Sequence, residues 1–182
     1  LAGGMREMVN RHALIRKLAS VETLGSVTTI CTDKTGTLTQ NQMTVTKLWV
    51  DGQFVDITGT GYEPVGDFYA DGELITDLKK YPAARTALWV GTINNDAQLE
   101  PAGESEGKTT YRMVGDPTEG SILVAALKAG AAANVVNDNY PRKQEIPFDS
   151  ARKRMVTIHN IVNPGHGDIS PYVTNEKTNW YT

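Results

Sequence analysis

An aspartate that follows a short apolar run is the residue of this sequence best suited to do chemistry. Asp33 lies two residues beyond Val27–Cys31, whose β-branched side chains predict a buried strand. A carboxylate at the C-terminal end of such a strand faces the crevice in which α/β folds bind their ligands. Because a carboxylate can attack phosphorus and form an aspartyl-phosphate, Asp33 is a candidate nucleophile for phosphoryl transfer.

The residues after Asp33 add groups that suit a phosphate. Lys34 can offset its negative charge, and Gly36 lets the backbone approach it closely. Hydroxyl and backbone groups for phosphate or Mg²⁺ come from two threonines, Thr35 and Thr37. The simpler interpretation is an Asp-Lys-Thr-Gly turn after a strand, but the complete seven-residue run in this position favours the phosphate interpretation.

The run from Asp33 to Thr39, Asp-Lys-Thr-Gly-Thr-Leu-Thr, resembles the phosphorylation signature of the P-type ATPases at all seven positions. Residues 13–25 resemble the segment that leads from the fourth membrane helix of that family into its phosphorylation domain, and residues 40–45 resemble the hinge into its nucleotide-binding domain. The resemblance implies a stalk helix and a partial haloacid-dehalogenase-like phosphorylation segment over residues 1–42. It implies a nucleotide-binding domain over residues 43–182.

The resemblance also implies roles for three consecutive residues. Asp33 would accept the γ-phosphate of ATP, and Lys34 would steady the charge of that phosphate. Thr35 would offer its hydroxyl to the phosphate and its carbonyl to Mg²⁺, for which Asp33 would be a second ligand. Related haloacid-dehalogenase-type phosphatases carry a second aspartate, a general acid/base, at the position of Thr35. The threonine therefore favours a lasting phosphoenzyme, which suits a transport cycle.

A second segment of interest, Gly115–Gly120, opens a predicted helix. It resembles the nucleotide-domain motif of the type II P-type ATPases, the group that contains calcium and sodium/potassium pumps. The resemblance assigns Thr118 and Glu119 to ATP binding, with Glu119 near the adenine amino group, from which a carboxylate accepts a hydrogen bond. The alternative for Glu119 is an acidic first-turn residue that supports the helix.

A third segment, Ile146–Met155, resembles the adenine-binding stretch of the same group. The resemblance implies that Phe148 stacks on the purine, that Lys153 faces the phosphates and that Met155 packs against the ring. The alternative for Phe148 is a core aromatic. The segment departs from the calcium pumps at Ser150, where they carry an arginine, and the two candidate replacements are Arg152 and Arg154.

The pattern along the chain predicts an α+β fold in which an antiparallel β-sheet is flanked by helices. Asp51-Gly52 predicts a tight hairpin, and the glycine-rich residues 58–64 predict a turn, because no helical pattern follows them. A lone strand at Val27–Cys31 would have two unpaired edges, so residues 1–40 are expected to be disordered, detached from the core or paired with another copy. The predicted helices cover 4–19, 78–99 and 117–129, the strands 43–50, 53–57, 109–114, 143–148, 153–162 and 172–181, and the loops 101–108 and 163–167.

The composition excludes several classes of protein. A net charge of −3 over 182 residues argues against a nucleic-acid partner, which favours basic proteins. The single cysteine, Cys31, excludes an internal disulfide and a cysteine-based metal cluster. The sequence has no run of about 18 apolar residues that could span a bilayer.

Taken with the resemblance, these features predict a soluble fragment of an ATP-driven cation pump that uses ATP and Mg²⁺. Its partners would be ATP and the membrane and actuator domains of the same pump, and its location the cytoplasmic side of a bacterial plasma or inner membrane. The fragment itself is expected not to turn over ATP, because the later catalytic motifs of the family are absent. The alternatives are a nucleotide-binding module without catalysis and a soluble aspartate-nucleophile phosphatase.

Overall fold

A computed structural model describes residues 2–13, 18–105, 107–131 and 133–162 of the chain. The chain divides into two compact units, Leu1–Asn41 and Gln42–Thr182. The predicted loop at 163–167 and the predicted strand at 172–181 lie outside the described residues.

The described residues of the first unit form two short helices, α1 (Ala2–Asn10) and α2 (Leu18–Gly25). The prediction of one helix over residues 4–19 is wrong, because α1 ends at Asn10 and His12 adopts a left-handed φ of 61°. Such a backbone conformation is incompatible with a continuing right-handed helix.

The predicted strand at Val27–Cys31 is absent from this unit. The side chains of Val27 and Ile30 are exposed by 45% and 78%, so the segment is not buried either. A strand needs a neighbour for its backbone hydrogen bonds, and the described residues of the first unit contain no other strand that could pair with it. The β-branched composition of Val27–Cys31 is therefore not sufficient to make it a strand.

The second unit begins with a four-stranded antiparallel sheet in the order β1-β2-β3-β4. Asp51 and Gly52 join the first two strands with φ angles of 50° and 75°, the left-handed pair of a type I′ hairpin turn. This hairpin was predicted and is confirmed, whereas the equivalent turn at Asp71-Gly72 was not predicted. The strands are β1 (Lys47–Val50), β2 (Gln53–Ile57), β3 (Phe68–Ala70) and β4 (Glu73–Leu74).

Among the described residues of the second unit, three α-helices follow or separate the strands. A 3₁₀ turn at Leu78–Lys80 leads into α3, which ends at Ile93, earlier than the predicted limit of residue 99. The helix predicted at 117–129 is confirmed as α4, and α5 was not predicted. The bounds are α3 (Pro82–Ile93), α4 (Pro117–Lys128) and α5 (Ala133–Asn139).

Two separate hairpins complete the described strands. The first pairs β5 (Gln98–Ser105) with β6 (Lys108–Val114), and the second pairs β7 (Arg142–Asp149) with β8 (Arg154–His159). The loop predicted at 101–108 is therefore wrong, because most of it belongs to β5, which continues past a bulge.

The antiparallel α+β class is confirmed, but the described strands form three small sheets rather than one. Each hairpin pairs only with itself. Pro101 in β5 and Pro147 in β7 have no backbone N–H, and proline favours a sheet edge for that reason.

The core lies between the first sheet and the helices. Val55, Ile57 and Phe68 alternate with less buried residues, as expected of a sheet with one buried face, and they share one core cluster with side chains of α3 and α4. Trp89 of α3 meets Tyr140 edge to face, with ring centroids 5.0 Å apart. In the described part of the chain, no helix is long and apolar enough to cross a bilayer.

Helices α3 and α4 lie close together where Gly91 of α3 faces Ile122 of α4. A Cβ atom at this position would lie 2.4 Å from Cγ2 of Ile122, well inside van der Waals contact. The glycine is therefore required by the helix crossing, although glycine weakens a helix relative to alanine.

We expect Gly91→Ala to lower the free energy of unfolding by about 1 kcal/mol, because the overpacking exceeds the gain in helix propensity. Urea unfolding followed by circular dichroism measures this. The second substitution Ile122→Leu removes the branched methyl at nearly constant volume and should restore the loss. A Gly91→Ala variant more stable than the parent chain would contradict the close crossing.

Candidate functional site

The aspartate singled out by the sequence lies at the start of a compact turn in the first unit. The carbonyl oxygen of Lys34 accepts hydrogen bonds from the N–H groups of Leu38 (3.0 Å) and Thr39 (3.2 Å). The Thr39 hydroxyl also donates to that carbonyl, at 3.4 Å, and accepts from the N–H of Gly36. The chain thus closes on itself within six residues, and Asp33 is exposed beside the turn.

This turn leaves the side chains of Asp33, Lys34 and Thr35 exposed to solvent. Among the described residues, no group of three or more His, Cys, Asp or Glu side chains could hold a metal ion.

In the second unit, α4 begins at a well-formed N-cap. The Asp116 carboxylate accepts hydrogen bonds from the N–H groups of Thr118 (2.7 Å) and Glu119 (3.4 Å), and Pro117 occupies the first helical turn. Hydrogen bonds from Thr118 are the main cause that lowers the pKa of Asp116. Sequence reasoning identified Glu119 as a first-turn residue but missed the N-cap Asp116, which an Asp-Pro pair before an apolar run could have revealed.

Glu119 ties the start of α4 to the segment that follows α3. Its Oε2 accepts a hydrogen bond from the N–H of Asp96 at 3.1 Å, and its backbone carbonyl accepts from Nδ2 of Asn95 at 2.7 Å. We call the segment Asn94–Ala97 the α3–β5 loop. The hydroxyl of Thr118, the other candidate residue here, lies 3.6 Å from the sulfur of Met43.

Arg142, at the start of β7, holds the α3–β5 loop from the other side. Burial acts to lower the pKa of Arg142, but hydrogen bonds and charges from Asp96 and Glu145 raise it, so the guanidinium stays charged. Sequence reasoning missed this residue, because no local spacing links it to a loop more than forty residues earlier. Its acceptors are Asp96 Oδ1 (2.5 Å), Glu145 Oε2 (2.8 Å), Asn95 O (2.9 Å) and Ile93 O (3.4 Å).

The hairpin β7–β8 carries the other three candidate residues. Phe148 is 62% exposed, so it is not a core aromatic. Lys153 is also exposed and adopts a left-handed φ of 54° where the hairpin turns. Met155 is partly buried and lines a small cavity of about 180 Å³ with side chains of α3 and β8.

The turn of the hairpin is closed by its own residues. Asp149 Oδ1 accepts hydrogen bonds from the N–H groups of Ala151 (3.1 Å) and Arg152 (2.8 Å). The guanidinium of Arg152 donates to the Pro147 carbonyl at 3.0 Å. Of the two arginines that could replace the family arginine at Ser150, Arg152 is therefore engaged in the hairpin turn.

The α3–β5 loop thus contacts both parts of the candidate site. Glu119 approaches it from α4, and the hairpin approaches it through Arg142 and through Thr157, whose hydroxyl donates to Oδ1 of Asn94 at 3.2 Å. Phe148 and Lys153 lie at the far end of the hairpin, near its turn.

A comparison with protein-family models supplies the deciding observation. The model described as "P-type ATPase, cytoplasmic domain N" matches residues 84–174, from α3 through both hairpins. The chain belongs to the P-type ATPase family.

Curated relatives agree with this assignment. A cation-transporting ATPase, pma1, of Synechocystis is 42% identical over 166 residues, which is 88% of this chain and 18% of the relative. A calcium-transporting ATPase of Bacillus subtilis is 42% identical over 158 residues, 87% of this chain and 17% of the relative. A calcium-transporting ATPase type 2C member 1 of Bos taurus is 38% identical over 156 residues, 85% of this chain and 15% of the relative.

The family resemblance found in the sequence is therefore confirmed. This P-type ATPase segment spans less than a fifth of the length of these relatives. The match to domain N includes the candidate residues from Thr118 to Met155, whereas Asp33 lies outside the matched range.

We expect Arg142→Met to lower the free energy of unfolding of this P-type ATPase segment by about 1–2 kcal/mol, because it removes charge-assisted hydrogen bonds at a side chain only 27% exposed. The matched control is Arg112→Met. The Arg112 side chain is 67% exposed, so its ion pair with Glu100 should contribute less than about 0.5 kcal/mol. Thermal or urea unfolding measures both. Equal losses in the two variants would show that Arg142 is an ordinary surface charge.

Proposed function

We propose that the chain is part of an ATP-driven cation pump, in which the second unit binds the adenine end of ATP and Asp33 accepts the γ-phosphate. The observation that carries this proposal is the similarity of 85–88% of the chain to proteins named as cation- or calcium-transporting ATPases. The match to domain N of the family supports the nucleotide-binding part.

The proposed adenine site combines one exposed aromatic ring with one carboxylate. Phe148 offers its face to the purine, and Glu119 accepts a hydrogen bond from the adenine amino group. Met155 packs against the ring, Lys153 meets the phosphates, and Thr118 lies beside Glu119. The exposure of Phe148 supports this role, because a stacking residue must be open to its ligand.

The proposed transfer uses the carboxylate of Asp33 as nucleophile. One carboxylate oxygen forms a bond to the γ-phosphorus of ATP, the bond from that phosphorus to the β–γ bridging oxygen breaks, and ADP leaves with the electron pair. Lys34 offsets charge on the transferred group. Thr35 stands where related phosphatases carry a general acid/base, so the acyl-phosphate persists.

The donor set around Asp33 suits Mg²⁺. One carboxylate from Asp33 and one carbonyl from Thr35 match a cation that binds few protein ligands and completes its shell with phosphate oxygens and water. The ion would supply charge neutralisation at the transferred phosphate.

The proposed domain organisation and location follow from the same family. Residues 1–42 would be the stalk helix and the start of a haloacid-dehalogenase-like phosphorylation domain, and residues 43–182 would form most of the nucleotide-binding domain. The parent protein would be an integral membrane pump, in a bacterial plasma or inner membrane, whose membrane and actuator domains are the partners of this cytoplasmic segment.

We expect the 182-residue chain to bind ATP weakly and Phe148→Ala to remove detectable binding, because base stacking contributes about 1–3 kcal/mol. Isothermal calorimetry or NMR shift mapping measures this. The control is Phe54→Ala, which removes a ring of similar exposure (54%) on the first sheet and should leave ATP binding unchanged. Unchanged affinity in Phe148→Ala would refute the adenine site.

We expect the intact parent protein to form an acid-stable, hydroxylamine-labile phosphoenzyme from ATP labelled at the γ-phosphate, and Asp33→Asn to abolish the label. The control Asp51→Asn changes an exposed turn carboxylate to a residue that the same turn tolerates, so the label should remain. Label that persists in Asp33→Asn would refute the proposed acceptor. Hydrolysis of small phosphate esters without any label would support a soluble phosphatase instead.

A further inference from the structure

The α3–β5 loop connects two elements that are far apart in sequence and that the proposed function needs together. Glu119 of α4 contacts the N–H of Asp96, and Arg142 of β7 contacts the carboxylate of the same Asp96. One residue of the loop thus receives a contact from each side. A continuous path of contacts from Glu119 to the hairpin that bears Phe148 runs through this residue.

The loop has little freedom of its own between these contacts. Asn95 spans it, because its Nδ2 donates to the carbonyl of Gly91 at 3.1 Å and to that of Glu119 at 2.7 Å. Its Oδ1 accepts from the N–H of Ala97 at 2.9 Å. Movement of the loop would therefore be transmitted to the first turn of α4, where Glu119 lies.

Arg142 fixes the loop to the hairpin together with Thr157. Its planar guanidinium reaches two carboxylates and two backbone carbonyls at once, a geometry that the single ammonium of a lysine cannot reproduce. The two carboxylates balance its charge, so Arg142 can hold the loop while Glu119 forms no ion pair with any of the described residues.

In this arrangement Glu119 can still accept a hydrogen bond from a nucleotide base. A carboxylate has about four acceptor positions, and among the described residues the N–H of Asp96 occupies one of them. Adenine presents an amino group, a donor, at the position where guanine presents a carbonyl oxygen, an acceptor. A carboxylate held in place therefore favours adenine and disfavours guanine, whereas one that can withdraw discriminates less.

We propose that Arg142 is a positioning residue that, through Asp96 and the α3–β5 loop, sets the place of Glu119 relative to Phe148 and thereby makes the site prefer adenine over guanine nucleotides. This inference rests on the proposed function. It adds to it a residue that touches no part of the ligand.

The test measures dissociation constants of ATP and GTP for the 182-residue chain by calorimetry or NMR titration, at a temperature where each variant is folded. In Arg142→Met, we expect the preference for ATP over GTP to fall about fivefold, the size expected for one lost or misplaced hydrogen bond. Arg112→Met should leave the preference unchanged, and Arg142→Lys should give an intermediate value.

A double variant separates positioning from general destabilisation. In a Glu119→Ala background, Arg142→Met should cause no further change in the ATP/GTP ratio, because the acceptor that Arg142 positions is absent. A further fall of similar size in that background would overturn the inference. If Arg142→Met does not fold, the same comparison of ATP/GTP ratios is made with Arg142→Lys.

The outcomes distinguish this inference from the function on which it rests. ATP binding that depends on Phe148, together with an ATP/GTP ratio unchanged in Arg142→Met and in Arg142→Lys, would overturn the role of Arg142 and leave the adenine site intact. A parent chain without ATP binding, or with binding indifferent to Phe148→Ala, would overturn both.

Discussion

The guanidinium of Arg142 joins parts of the second unit that no local contact would hold together. It brings the base of the β7–β8 hairpin against the last turn of α3 and the loop after it, by donating to Asp96 and to the carbonyls of Ile93 and Asn95. Since the hairpin pairs with no other described strand, these contacts orient it where sheet hydrogen bonds do not. The candidate site inherits its geometry from them.

The need of every strand for a partner explains which parts of the fold the sequence could predict. The β1–β2 hairpin was predictable because Asp51-Gly52 and the alternation around it specify both the turn and the register. Val27–Cys31 has the composition of a strand but finds no partner strand among the described residues of its unit. It therefore does not form a strand. Composition reports what a segment could do, whereas pairing depends on residues elsewhere in the chain.

The same distinction between local sequence and distant contacts applies to the residues of the candidate site. Motifs indicated Glu119, Phe148 and their neighbours, because each lies in a short run whose order of residue types is specific. The groups that hold them were not predictable in this way, since Arg142 and Asp96 meet across 46 positions of sequence. A side chain that contacts a ligand lies in a short sequence motif that can be recognised. A side chain that positions such a residue can be identified only from the folded structure.

The glycine-rich residues 58–64 show that a sequence pattern can also suggest a function for residues whose contacts are structural. Glycines in such a run suggest a loop that approaches a phosphate, yet a Cβ at Gly59 would lie 2.2 Å from the carbonyl oxygen of Val65, part of the loop itself. The ammonium of Lys128, whose pKa is lowered by burial, donates to the carbonyls of Thr58 and Gly59 at 2.7 and 3.0 Å. These carbonyls satisfy the partly buried cation at the end of α4, so the loop presents acceptors inward. A phosphate needs donors, whereas the carbonyls of Thr58 and Gly59 are acceptors that hold Lys128, so this part of the loop fixes the end of α4.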